Sequence, residues 1–102
     1  MIHCILAHDL GTSGNKASLF DFNGKLIGST VVSYSVYYPR RGWAEERPED
    51  WWNAVCQATK SVLEMVPDAE VSTVAVTGQM MGCLALDKEG KTLGNSIIWS
   101  DS

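Results

Sequence analysis

Residues 8–16, His8-Asp9-Leu10-Gly11-Thr12-Ser13-Gly14-Asn15-Lys16, gather the side-chain types that hold a metal–phosphate group. Asp9 closes an apolar run. Gly11 and Gly14 bracket two hydroxyls, Thr12 and Ser13, and the cation Lys16 follows. Glycines let backbone N–H groups approach a phosphate closely, and the hydroxyls add donors. Lys16 can reach back as a point charge. Asp9 would repel a phosphate directly, but it can hold Mg²⁺, or a water on Mg²⁺, that bridges phosphate oxygens. The spacing is neither Gly-x4-Gly-Lys-Ser/Thr nor Gly-x-Gly-x-x-Gly, and the loop leads into a strand rather than a helix. Taken alone, the same composition also makes an ordinary hairpin turn.

The elements that must position this loop follow from periodicity. Ile2 to His8 is an apolar run of strand length. Asn15 to Phe22 alternates, and Asn23-Gly24 is a hairpin signal because both residues tolerate positive φ. Leu26 to Val36, rich in Val, Thr and Tyr, is a third strand, so the opening is an antiparallel meander. Residues 37–46 read as a loop. Pro48 opens a helix where a missing N–H is harmless, and Glu49 and Asp50 suit the positive end of the dipole. Trp51, Trp52, Val55, Cys56, Thr59, Val62, Leu63 and Val66 are expected to form its apolar face, and Pro67 ends it. Val71 to Thr77 is a further strand. A hairpin follows, Cys83 to Asp87 and Lys91 to Trp99, turning at Lys88-Glu89-Gly90. Its end, Ile97 to Trp99, is expected to be an unpaired apolar edge. A helix crossing over from a meander to a new strand implies a mixed α/β sheet covered on one face.

Composition narrows the function classes. The chain has 102 residues, 45% hydrophobic and 20% charged, with a net charge of −4. No apolar run approaches the roughly 20 residues of a membrane span. The eight Lys and Arg residues are scattered, which disfavours a nucleic-acid surface. Cys4, Cys56 and Cys83 show neither a metal-ligand spacing nor a disulfide pattern. With apolar neighbours they read as buried free thiols of a reducing cytoplasm.

Three segments read together resemble one family. Asp9-Leu10-Gly11-Thr12-Ser13 is similar to the first phosphate motif of the actin, Hsp70 and sugar-kinase superfamily. Trp43-Ala44-Glu45-Glu46-Arg47-Pro48-Glu49-Asp50-Trp51-Trp52 resembles the Trp-x-Glu-Gln-Asp-Pro-x-x-Trp-Trp signature of FGGY carbohydrate kinases. Gly78-Gln79-Met80-Met81-Gly82 and Trp99-Ser100-Asp101 resemble the Gly-Gln-Met-His-Gly and Trp-x-Asp elements of the xylulokinase branch. The resemblance implies a ribonuclease H-like α/β fold, with residues 1–102 forming the N-terminal part of the first domain of a longer, two-lobed kinase. It implies ATP and Mg²⁺ as cofactors, and transfer of the γ-phosphoryl group to a hydroxyl of a sugar or polyol.

By the same resemblance, Asp9, Gly11, Thr12, Ser13 and Lys16 meet the nucleotide phosphates, Asp9 also serving Mg²⁺ through water. Gln79, Met80 and Met81 line the acceptor pocket. The general-base aspartate is expected beyond Ser102, so the chain alone is expected to be inactive. The resemblance leaves room for a homodimer of the full-length form, and implies no nucleic-acid or membrane partner. An actin- or Hsp70-like ATPase switch shares the phosphate loop, but the Trp43 to Trp52 and Gly-Gln-Met elements separate it from this chain.

Two departures from the family pattern matter. Met81 stands for the usual His, and a thioether cannot donate to a sugar hydroxyl as an imidazole can. That puts D-xylulose in question as the acceptor and favours a related sugar or polyol. Arg47 stands for the Asp before the proline, in a loop where it alters a local contact rather than the chemistry. Trp51 and Trp52, about 100° apart on a helix, cannot both face one ligand and read as packing. Trp43 is a candidate for a pocket rim. His8, Tyr34, Tyr37 and Tyr38 read as strand and loop-edge residues, and Asp101 as structural.

Overall fold

Alternating burial along the first strand sets the architecture. Cys4, Leu6 and His8 are buried on one face of β1 (Ile2–Leu10), with Ile5 and Ala7 half-buried on the other. β2 (Gly14–Asp21) runs back antiparallel and β3 (Leu26–Ser33) returns beside it. The computed structural model describes residues 1–101. After β3 come the two-residue strand β4 (Glu45–Glu46), the helix α1 (Pro48–Met65), β5 (Ala69–Gly78) and the short β6 (Ser96–Ile97). β5 pairs parallel with β1, giving a sheet of order β3-β2-β1-β5. This is the expected meander extended by a crossover helix and a parallel strand.

The β2–β3 turn differs from the expected one in detail. Gly24 takes φ +84, whereas Asn23 does not enter the left-handed region. The turn is held by Asp21, whose Oδ1 accepts the amides of Asn23 and Lys25 at 2.9 Å each. Asp87 makes the same bonds to Glu89 and Lys91 in the second hairpin, with Gly90 at φ +85. Both turns are therefore Asp-x-x-Gly-Lys, with one carboxylate capping two amides and a single glycine taking the left-handed backbone.

α1 starts as its sequence dictates, with Pro48 in the first turn, Glu49 and Asp50 beside it, and Arg47 at the N-cap. Arg47 makes no side-chain cap. Its guanidinium is held charged by the Tyr37 hydroxyl, Asp50 and Glu49. The buried stripe is Ala54, Ala58 and Val62, narrower and smaller in side chain than the expected face. Trp52 is 67% exposed and Cys56 is also exposed. The reason lies in the sheet below. A Cβ on Gly28 would come within 3.1 Å of Val66 and 3.5 Å of Val62. The helix thus lies close over β2 and β3, a distance that only small residues and glycine allow. Cys4, Leu6, Ala17 and Leu19 complete this core. Cys83 is exposed as well, so only Cys4 meets the expectation of a buried thiol.

A second, smaller sheet corrects the expectation for the end of the chain. Ile97 pairs antiparallel with Glu45 on one side, and on the other exchanges two 2.9 Å backbone bonds with Cys83. It is an inner strand, not an unpaired edge. Ala44, Glu46, Ser96 and Ile98 are buried there.

Candidate functional site

Because β1 and β5 are parallel neighbours, the loops that leave their C-terminal ends lie side by side. Ligands of open α/β sheets bind outside such strand ends. Leu10 pairs with Gly78, and the Gln79 amide donates to the Leu10 carbonyl at 2.8 Å. A Cβ on Gly78 would meet that same carbonyl at 3.3 Å, so the two backbones approach closely there. The phosphate-type turn and the Gly-Gln-Met segment are thereby joined.

Within the turn, Asp9 is exposed at the end of β1, opposite Lys16 on β2 and Thr77 on β5. The Gly11 amide donates to the Gly14 carbonyl at 2.9 Å and closes the turn on itself. Gly14 serves packing: a Cβ there would lie 2.9 Å from the Val32 carbonyl oxygen and 3.2 Å from the Ser33 Cα. Two aromatic residues fix the turn from outside. The Tyr34 hydroxyl donates to the Gly11 carbonyl, and its amide donates to the Ser13 carbonyl at 3.1 Å. Burial, with Glu46 and Asp9 nearby, pushes the Tyr34 phenol up to about 12, so it remains a donor at neutral pH. The Trp99 indole N–H donates to Thr12 Oγ1 at 2.8 Å.

Behind the turn, His8 is buried. Its Nδ1 lies 2.9 Å from Asn15 Nδ2 and its Nε2 lies 3.1 Å from Thr59 Oγ1. The Asn15 amide can only donate to Nδ1, which places the ring proton on Nε2, facing Thr59. Burial lowers the His8 pKa, so the ring stays neutral and stitches β1, β2 and α1 together.

On the other side, Gln79 leads to a buried carboxylate. Its Nε2 donates to Glu46 Oε1 at 2.5 Å, and the Trp51 indole N–H donates to the same oxygen at 3.3 Å. Glu46 is 0% exposed, and its Oε2 and the Gln79 Oε1 are buried without partners. Burial raises the Glu46 pKa, opposed by the two donated bonds and reinforced by Asp50. Leu10, Trp51, Gly78 and Gln79 line a cavity of about 180 Å³. Met80 and Met81 are 78% and 86% exposed beyond it, and Met81 holds a left-handed backbone at φ 64. Such a conformation is uncommon outside glycine and concentrates at functional loops.

Asp9, Gly11, Thr12, Ser13 and Lys16 thus share one turn, and Gln79 adjoins it. Asp101 accepts the Ala44 amide at 2.8 Å and acts as a tie between loops. Trp43, 42% exposed, stacks under Arg40 at 5.0 Å on the rim of a separate groove. Sequence reasoning missed Tyr34, Trp99 and Glu46. Tyr34 and Trp99 act through single polar atoms on aromatic bodies that periodicity assigns to packing. Glu46 lies within the tryptophan signature, but nothing local in the sequence announces its burial.

The donor set at the turn fits a magnesium–nucleotide group. One exposed carboxylate beside two hydroxyls and a lysine suits Mg²⁺, which keeps several waters and takes its other ligands from phosphates. Among the described residues no cluster of three His, Cys, Asp or Glu side chains forms an alternative cation site. No described helix is long and apolar enough to cross a membrane.

Comparison with known proteins identifies the family and the fold. The profile of the N-terminal domain of the FGGY family of carbohydrate kinases matches residues 4–102. A glycerol kinase of Rippkaea orientalis is 38% identical over 100 residues, covering 95% of this chain and 20% of the relative. A xylulose kinase of Staphylococcus xylosus is 30% identical over 98 residues, covering 96% and 20%. A crystal structure described as a xyloylose kinase from Brucella ovis superimposes with a TM-score of 0.94 at 34% identity, covering 97% of this chain and 21% of that one. The chain therefore spans about a fifth of the length of the curated relatives it matches.

Proposed function

The chain belongs to the FGGY family of carbohydrate kinases, and we propose that it is the opening part of the first lobe of an ATP-dependent kinase acting on a sugar or polyol. The observation that carries this reading is the meeting of the Asp9 turn and Gln79 at the C-terminal ends of β1 and β5, through the 2.8 Å bond from Gln79 to Leu10. One side offers groups for phosphates, the other an amide for hydroxyls.

Asp9 would hold Mg²⁺ through water, and the bound ion neutralises charge that develops on the phosphates. Thr12 and Ser13 donate hydroxyl hydrogens to phosphate oxygens, and Lys16 adds a positive charge. The Thr12 oxygen accepts from Trp99, which leaves its own hydrogen directed elsewhere. Tyr34 holds the turn still through Gly11 and Ser13. Preorganised donors of this kind lower the barrier because they need not reorganise as charge moves. Gln79, Met80 and Met81 form the acceptor side, where Met81 in place of His favours a polyol or a sugar other than D-xylulose. Neither Asp9, which lies on the phosphate side, nor Asp101, whose Oδ1 accepts the Ala44 amide, is set to take the acceptor's proton. That base belongs to the rest of the kinase, which we place in the cytoplasm and which can form a homodimer.

The test offers ketoses, aldoses and polyols with ATP to the full-length protein. Phosphorylation of one acceptor class is expected, falling at least about a hundredfold in Asp9→Ala and about tenfold or more in Thr12→Ala. Near-unchanged kcat/KM in both variants would remove the assignment of the turn. Turnover by the 102-residue chain alone would overturn the placement of the base.

A further inference from the structure

Acidic residues outnumber Lys and Arg by 12 to 8 in this chain, yet its one adjacent pair of cations, Arg40 and Arg41, forms no ion pair with a described acid. The acids at the end of this loop are engaged: Glu45 Oε1 accepts the Asn95 side-chain amide at 3.2 Å, and Asp101 Oδ1 accepts the Ala44 amide at 2.8 Å. Both arginines sit on one tight turn. The Trp43 amide donates to the Arg40 carbonyl at 2.9 Å, and Gly42, at φ +84, supplies the left-handed third position that type II turns require.

Tyr38, Arg40, Arg41, Gly42, Trp43 and Ser100 line a groove of about 320 Å³. The Arg40 guanidinium lies 5.0 Å from the centre of the Trp43 ring, where cation–π attraction holds it. Arg41 is exposed and has no such partner. Tyr38 and Trp43 are 71% and 42% exposed, so aromatic surface borders the two charges, and Ser100 adds a hydroxyl. A guanidinium is a planar fork of donors that matches the oxygens of a phosphate in pairs. Two of them in one groove suit the nearly doubly charged phosphate of a monoester. The tyrosine and tryptophan offer apolar contact to the carbon body that carries it. The groove is separate from the Asp9 turn but adjoins it through one segment, since Ser100 lines it while Trp99 donates to Thr12.

We propose that this groove is a binding site for a small phosphomonoester, with Arg40 and Arg41 on the phosphate oxygens and Tyr38 and Trp43 against the carbon body. It lies outside the Asp9 turn and does not rest on the kinase reading. A sugar phosphate and a nucleoside monophosphate share the chemistry it recognises.

The experiment titrates full-length protein by calorimetry, without ATP or acceptor, with D-glucose 6-phosphate, adenosine monophosphate and inorganic phosphate, and with D-glucose as the uncharged control. At least one of the two esters is expected to bind more tightly than inorganic phosphate, and D-glucose is expected not to bind in the groove. The ester that binds tighter names the carbon body. Arg41→Gln is expected to weaken that ester about tenfold, the scale of one lost charged hydrogen bond, and Arg40→Gln with Arg41→Gln to abolish its binding. Asp9→Ala is expected to leave it unchanged. Ester binding that survives in the double variant, or that is lost in Asp9→Ala instead, overturns the proposal, as does an absence of binding by both esters. D-Glucose binding that is lost with the arginines overturns it too, because the phosphate is then not what is recognised. Arg40→Gln gives up the contact with Trp43, so if the double variant has a lowered Tm, Arg41→Gln decides alone. Because nothing is phosphorylated in the titration, its outcome is independent of whether the protein proves to be a kinase.

Discussion

Trp99 donates its indole N–H to the hydroxyl of Thr12 at 2.8 Å, across 87 positions of sequence. The turn after β6, which carries the Trp-x-Asp element, thereby touches the turn after β1 directly. Trp99→Phe keeps the ring and removes this bond. In the full-length kinase it is expected to lower kcat/KM about three- to tenfold, the value of one hydrogen bond. Steady-state kinetics at saturating acceptor checks it, and wild-type values would mean that Thr12 is oriented by other groups.

Tyr34→Phe removes the hydroxyl bond to Gly11 while leaving the amide bond to Ser13. A loss of about 1 kcal/mol in stability is expected, read as a lowered Tm. The alkaline limb gives a second check. The folded phenol titrates at about 12 against an ordinary 10.0. A raised folded pKa adds stability that is complete below pH 10 and is lost as pH rises toward 12. The Phe variant is expected to lose less stability than wild type across that window, and parallel losses would contradict the phenol's assigned environment.

Glu46→Gln tests the burial of the carboxylate through folding alone. Burial raises the folded pKa above its ordinary 4.5. The protonated form thus favours folding below 4.5, and that contribution is lost as pH rises through the folded pKa. The Gln variant is expected to have the higher Tm at pH 7, with the difference shrinking toward pH 4. Equal Tm values at pH 7 would show that the two donated bonds offset the cost of burial in full.

Gly14→Ala places a Cβ 2.9 Å from the Val32 carbonyl oxygen, backbone against backbone. The cost is expected to be about 1–3 kcal/mol, on the scale of an overpacked core. Chemical denaturation of wild type and variant measures it. A neutral result would return Gly14 to the role of a phosphate-approach glycine.

These predictions divide along the line of what the residues announce in sequence. The meander, the helix from Pro48 and the parallel strand after it are written in local periodicity and turn chemistry, which act over a few residues. So is the Asp9 turn, since its glycines and hydroxyls are contiguous. The burial of Glu46 is not local: it results from pairing residues 45–46 with residues 96–97 and from Gln79 reaching over. The helix face was misjudged at Trp52 and Cys56 for a related reason. Hydrophobicity points to the large residues, whereas the close approach at Gly28 selects Ala54 and Ala58.

The parallel pairing of β1 with β5 has a consequence in time. β1, β2 and β3 are joined by short turns and can zip together from their own residues during synthesis. The other side of β1 must wait for residues 69–78, delivered only after the helix has formed and crossed over. Contacts of such long sequence separation form late, because the intervening chain must first be ordered. The bond from Gln79 to Leu10 is therefore among the last to close. A nascent polypeptide is expected to form the Asp9 turn before Gln79 reaches it, and the space between them arises only when the fourth strand of the sheet docks.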